Sequence, residues 1–148
     1  MLCKQLTLYL ATGLMVLFLS LSQRCVAQEV NGARAKFNYQ MLCQGCHTPD
    51  GSGKKSVPEL KGFIGNFLAT QEGREYLIKV PGAANSALDD KELAEVMNWI
   101  IVEMGQDSVP KNMQPYTGAE VGKYRADSLF EVIEYRKAII SRLPTSKQ

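Results

Sequence analysis

Cys43-Gln44-Gly45-Cys46-His47 is the stretch of the sequence best equipped for chemistry. Two thiols three residues apart, at the end of a helix, can each add to one of the two vinyl groups on the same porphyrin edge. The histidine that follows is then held under the ring with an imidazole nitrogen directed at the iron. C-x-x-C-H is accordingly the pattern of c-type haem attachment. The same residues admit two other chemistries. A Cys-x-x-Cys pair can be a thioredoxin-type redox centre, but that needs a βαβ context and no strand pattern surrounds it; Cys2His is three quarters of a zinc site, but no fourth ligand stands out. His47 is the single histidine of the chain. That excludes a bis-histidine metal site and leaves no second imidazole for distal acid/base work, which points away from an enzyme.

The compartment agrees with a covalently held group. Residues 1–27 have the order of a secretory signal: Lys4, an apolar run from Leu6 to Leu21, then a polar stretch with Cys25 and Ala27 at the positions a signal peptidase reads. Cleavage after Ala27 removes Cys3 and Cys25, leaving Cys43 and Cys46 as the only cysteines in a place where thiols either oxidise or are used. The expected location is periplasmic or otherwise extracytoplasmic, with no membrane span after cleavage. The full chain of 148 residues carries a formal charge of +2, and loss of Lys4 and Arg24 leaves 15 basic and 15 acidic side chains. A balanced chain of this kind lacks the clustered basic excess of a nucleic-acid binder. Locally the balance shifts, because Asp89, Asp90, Glu92, Glu95, Glu103 and Asp107 face only Lys91 between residues 83 and 110, which predicts an acidic helix surface.

The elements that must position the motif read as helices. Ala35, Tyr39 and Leu42 at i, i+4 and i+7 describe a helix from Ala33 running into the cysteines. Residues 48–58 are rich in turn formers and make a loop. Thr70 caps a short helix to Val80, stopped by Pro81-Gly82, and a clearer helix runs from about Asp89 to Met104 with Leu93, Val96, Met97, Ile100, Ile101 and Met104 on one face. Thr117 and Glu120 form a capping box for a further short helix. Asp127 or Ser128 then caps a longer one, whose apolar stripe of Leu129, Val132, Ile133, Ile139, Ile140 and Leu143 contains one charge, Arg136. The fold class is all-α, divided into a signal peptide (1–27), a haem domain (28–105) and a C-terminal helical extension packed on the same domain (106–148).

From Ala33 to Met104 the chain resembles class I cytochromes c. Tyr39 matches the aromatic four residues before the first haem cysteine, Ala35 stands where that family often has Gly, and Leu88–Ile100 looks like its C-terminal helix with Trp99 as the crossing aromatic. Val57-Pro58-Glu59-Leu60 is similar to the family's Gly-Pro-x-Leu, with Val57 in place of the usual Gly. The resemblance implies one haem c bound through Cys43 and Cys46, His47 as proximal iron ligand, the Pro58 carbonyl accepting the second ring N–H of His47, and Leu60 packed on the haem.

The resemblance breaks at the sixth iron ligand, usually a Met in the loop before the C-terminal helix. Here the loop reads Pro81-Gly82-Ala83-Ala84-Asn85-Ser86-Ala87-Leu88, with no Met, His or Lys. The candidates are Met113 from the connecting segment, Met104 or Met97 from the helix, an open position beneath Ala83, Ala84 and Asn85, or another group such as an amide or a lysine. The leading expectation is an electron carrier, not an enzyme, that passes single electrons from a periplasmic dehydrogenase, a quinoprotein among the options, to a downstream cytochrome or oxidase. Lys54, Lys55 and Lys61 offer a basic docking rim. The alternatives are an open-site haem protein that binds small gases or peroxide as a sensor or scavenger, and a haem subunit fixed in a dehydrogenase complex.

Overall fold

The computed structural model describes residues 31–143. The expected leader lies outside the described residues. Within them the chain is helical throughout, the one extended pairing being an isolated bridge between Lys54 and Val57.

Two long-range helix partners frame the fold. Helix α1, Gly32–Leu42, starts where the Asn31 side chain accepts the Arg34 N–H, and it buries Ala35 and Tyr39 one turn apart. It leads directly into the one-turn helix α2, Gln44–His47. Helix α5, Asp90–Met104, begins with a full capping box between Asp89 and Glu92 and buries Leu93, Val96, Met97, Ile100, Ile101 and Met104. α1 crosses α5 at Ala35, which is small enough for close approach, and at the tilted Tyr39–Trp99 pair, whose ring centroids are 5.3 Å apart. Glu95 corrects the expected acidic surface. It is buried under α1 and accepts the Asn31 N–H at 2.7 Å and the Arg34 Nε at 2.7 Å, so it belongs to the helix crossing rather than to the exposed face.

Between these helices the chain builds a wall. A 3-10 helix, Ile64–Ala69, which the sequence pattern does not announce, packs against α3, Gln71–Lys79, capped as expected by the Thr70 hydroxyl. Gly73 makes this contact possible, because a Cβ there would fall 2.2 Å from the Phe67 carbonyl oxygen. Pro81 does end α3, but it also opens a single helical turn, α4, Pro81–Ala84, since its fixed φ and missing N–H suit a first helical position.

The chain then returns across α5 and lays α6, Gly118–Arg125, on α5 and α3. Asn98 exchanges two hydrogen bonds with the Tyr116 backbone, at 2.9 and 2.7 Å, and Tyr116 donates its hydroxyl to the Arg74 carbonyl at 2.7 Å. The expected capping box at Thr117 is half formed: Thr117 accepts the Glu120 N–H, but the Glu120 carboxylate pairs instead with Arg74 at 2.6 and 2.8 Å. The last helix, α7, Val132–Ile140, starts later than expected and has Glu131 rather than Asp127 or Ser128 at its cap position. The Leu129 N–H bonds the Lys79 carbonyl, and Asp127 is drawn to Lys79, which holds residues 127–131 off the helical path. Its apolar stripe also divides: Ile139 is buried, whereas Ile133 is 66% exposed.

Candidate functional site

An apolar cavity of about 320 Å³ opens between α1, the loop after α2, α3, α4 and α5. Cys43, Cys46 and His47 stand on its wall, so the structure brings the three residues of the motif to one cavity. Both cysteines are free, Cys43 partly buried and Cys46 exposed. Burial, and secondarily the charge of a neighbouring Cys46 thiolate, push the Cys43 thiol up from its ordinary pKa. A thioredoxin-type centre needs the opposite shift, toward a reactive thiolate. Among the described residues no three His, Cys, Asp or Glu side chains converge to hold a metal ion, which leaves a zinc site without its ligand set.

His47 is held by its surroundings from two sides. Burial lowers its pKa and favours the neutral imidazole, the form that binds a metal through a nitrogen lone pair, while the Pro58 carbonyl acts in the other direction. The Nδ1 atom is buried without a formed hydrogen bond, so Pro58 approaches the ring but does not complete the bond. The loop that brings Pro58 there turns tightly. Lys55 and Gly53 have positive φ, Val57 donates its N–H to the Lys54 carbonyl at 2.9 Å, and a Cβ on Gly53 would fall 2.6 Å from the Val57 carbonyl. Tyr39 fixes the other end of the motif by donating its hydroxyl to the Thr48 carbonyl at 2.5 Å.

Leu60 and Pro58 line the cavity as part of that loop. Of the three Met candidates for a second axial ligand, Met97 lines the cavity. Met104 is buried with its sulfur against Gly51, and Met113 packs half-buried on the core; neither reaches the cavity wall. Ala83 lines the cavity, and Ala84 and Asn85 do not. Lys54, Lys55 and Lys61 are exposed, and Lys61 pairs loosely with Asp50 at 3.4 Å.

Four residues escaped the sequence reading as parts of the site. Phe67 and Tyr76, stacked with centroids 5.0 Å apart, form one wall. Ser86 also lines the cavity, and its hydroxyl is buried with no partner. Arg125 of α6 fixes the loop that carries Ser86: its guanidinium donates to the carbonyls of Ala84 at 3.0 Å, Ser86 at 2.8 Å and Leu88 at 2.8 Å, and it pairs with Asp90 at 3.2 Å. Nothing local in the sequence marks Arg125, because its partners lie about forty residues away.

The arrangement suits a large, flat, apolar group that two thiols can anchor along one edge and one imidazole can approach. The two thiols, the neutral imidazole and the apolar walls together fit haem c. No family model matches the sequence. Two cytochromes c-552 of Thermus thermophilus are each 34% identical to the chain over 118 residues, a stretch that covers 66% of this chain and 90% and 80% of the relatives. With the helical fold, the α1–α5 crossing and that similarity together, the chain belongs to the c-type cytochromes, in their all-α class I fold.

Proposed function

We propose that the chain is an extracytoplasmic monohaem electron carrier, with haem c attached through Cys43 and Cys46 and His47 as the proximal iron ligand. The observation that carries this reading is the position of both thiols and the imidazole on the wall of one largely apolar cavity. Bound there, haem c supplies one-electron chemistry between ferrous and ferric iron. The chain contributes anchoring by the two thiols, a Pro58 carbonyl beside His47 that would accept its second ring N–H when the imidazole binds iron, and exclusion of water by Leu60, Phe67, Tyr76, Leu77 and Ile100. An apolar wall disfavours the more highly charged ferric site and so raises the potential. The relatives bear the name of an electron-carrying class, which supports a carrier rather than an enzyme. Residues 1–27 as a cleaved signal, a haem domain over 28–105 and the extension 106–148 complete the reading, with redox proteins as partners and the exposed Lys54 and Lys55 near the attachment loop as a steering surface. No described helix is long and apolar enough to cross a membrane.

The test is the visible spectrum of the chain matured with a haem-attachment system, together with a pyridine haemochrome assay. One haem per chain with the spectrum of two thioether bonds is expected. Absence of a haem band overturns the reading.

A second reading is favoured by the loop from Pro81 to Leu88. It borders the cavity without a Met, His or Lys and presents the buried, unpartnered hydroxyl of Ser86. On this reading the second axial position is open to a small ligand such as carbon monoxide, nitric oxide or peroxide. Prompt carbon monoxide binding by the ferrous protein supports it; a Met–His spectrum unchanged by carbon monoxide, lost in Met97→Ala, refutes it.

A further inference from the structure

Arg136 lies on the wall of the cavity although it comes from α7, far outside the stretch that resembles class I cytochromes. Its guanidinium carbon sits 5.4 Å from the centroid of the Phe63 ring and 5.6 Å from that of Phe67. Apart from His47, the one other Asp, Glu, Lys or Arg side chain on that wall is Glu59, which is exposed and belongs to the loop after the motif. Four carboxylates around α7 are already engaged: Glu72 by Arg142 at 2.7 Å, Asp127 and Glu75 by Lys79 at 3.0 and 3.7 Å, and Glu134 by Lys137 at 2.8 Å; Glu131, at the cap position, is exposed and does not line the cavity. Arg136 itself makes no ion pair among the described residues. A guanidinium has five N–H donors in a rigid fork, and aromatic faces accept its charge without using those donors. The result is a cation whose hydrogen-bonding capacity is unspent, beside an apolar cavity whose expected occupant carries two carboxylates.

We propose that Arg136 is the anion-binding residue of this cavity and holds a haem propionate through its guanidinium fork. The inference rests on the haem reading above. Its chemistry is that of a planar donor pair matched to a carboxylate, a geometry a lysine reproduces only as a point charge. It also gives α7 a reason to stay docked. The N-terminal half of this helix is held by the partly buried Val132 and by Tyr135, stacked on Tyr76 of α3 at 6.1 Å, whereas Ile133 within it and Phe130 just before it are 66% and 96% exposed. A propionate bound by Arg136 ties that half to the cavity.

The experiment uses the haem-loaded protein. In the ferrous wild type, nuclear Overhauser contacts are expected between the Arg136 side-chain N–H protons and the methylene protons of one propionate. In Arg136→Leu the resonance Raman propionate-bending band shifts, and the α7 amides exchange about tenfold faster, the effect of losing one charge-assisted hydrogen bond. In Arg136→Lys the exchange rate recovers in part while the band stays shifted. A wild-type protein with a Soret band but no such contact overturns the proposal even if a variant fails to mature, and so does an Arg136→Leu protein with an unshifted band. A chain without a Soret band overturns the haem reading and this inference with it.

Discussion

Replacing Arg125 by Leu removes the clamp on the loop that borders the cavity. The side chain is 16% exposed and donates to three backbone carbonyls while pairing with Asp90. Hydrogen bonds from a charged donor contribute about 1.5 to 3 kcal/mol each, but two offsets reduce their sum. Ser86 and the exposed Asn85 lie on a loop that water can reach, so freed carbonyls are partly resolvated, and an unordered side chain regains about 1.5 to 2 kcal/mol of rotamer entropy. The net loss is then about 3 kcal/mol, or roughly 10 °C in Tm for a domain of this size. Guanidinium unfolding of the haem-loaded variant, followed at the Soret band and by far-ultraviolet circular dichroism, measures it. Arg125→Lys, which reaches at most one or two of the carbonyls, falls between wild type and Leu. A Leu variant within about 0.5 kcal/mol of wild type means that water replaces the guanidinium without loss, and the clamp argument fails.

Tyr39→Ala, at a side chain 1% exposed, destabilises by about 3 to 5 kcal/mol, and a double-mutant cycle with Trp99→Ala returns a coupling near 1 kcal/mol; strictly additive effects contradict the crossing contact. Burial acts to raise the Glu95 pKa, but Arg34 and the Asn31 N–H outweigh it and hold the carboxyl below its ordinary value. Its contribution is therefore full above the unfolded carboxylate pKa of about 4.3 and is lost as pH falls through the lower folded value. Unfolding midpoints should show Glu95→Gln less stable than wild type at neutral pH and the gap closing in acid, whereas a constant gap contradicts the assignment. Gly73→Ala, despite the better helix propensity of Ala, lowers stability by about 2 to 3 kcal/mol in thermal unfolding, because its methyl meets the Phe67 carbonyl; a stabilised variant shows that the 3-10 helix yields without loss.

What could be read from the sequence is what local chemistry decides. The Thr70 cap and the start of the long helix near Asp89 are settled within one turn, and both helices begin where those residues place them. The spacing of Ala35 and Tyr39 finds the buried face of α1 for the same reason. Distant partners account for what was missed. Glu95 has the charge of a surface residue and is buried because Arg34 and Asn31 arrive from more than sixty residues away. Glu120 abandons its capping role for Arg74, and the cap expected near Asp127 is pre-empted by Lys79. In the cavity, the C-x-x-C-H residues are legible as a motif, whereas Ser86 and Arg136 reach it, and Arg125 comes to clamp the loop beside it, only through tertiary folding.

The Asn31–Glu95 and Arg34–Glu95 contacts bridge 64 and 61 residues, and nearly every cavity-lining segment up to Leu93 lies inside the loop they close. Closing so long a loop is entropically unfavourable until the contacts that reward it form, which places the pairing of α1 with α5 among the slow events of folding. Cys43 and Cys46 follow α1 directly, so on the proposed haem reading they would stay accessible for attachment for as long as that pairing is unmade. A group already linked at Cys43 and Cys46 gives the rest of the loop an apolar surface to collapse on. On that reading folding around the linked group is the enclosure of a cargo, and the α1–α5 crossing is the seam that holds the enclosure shut.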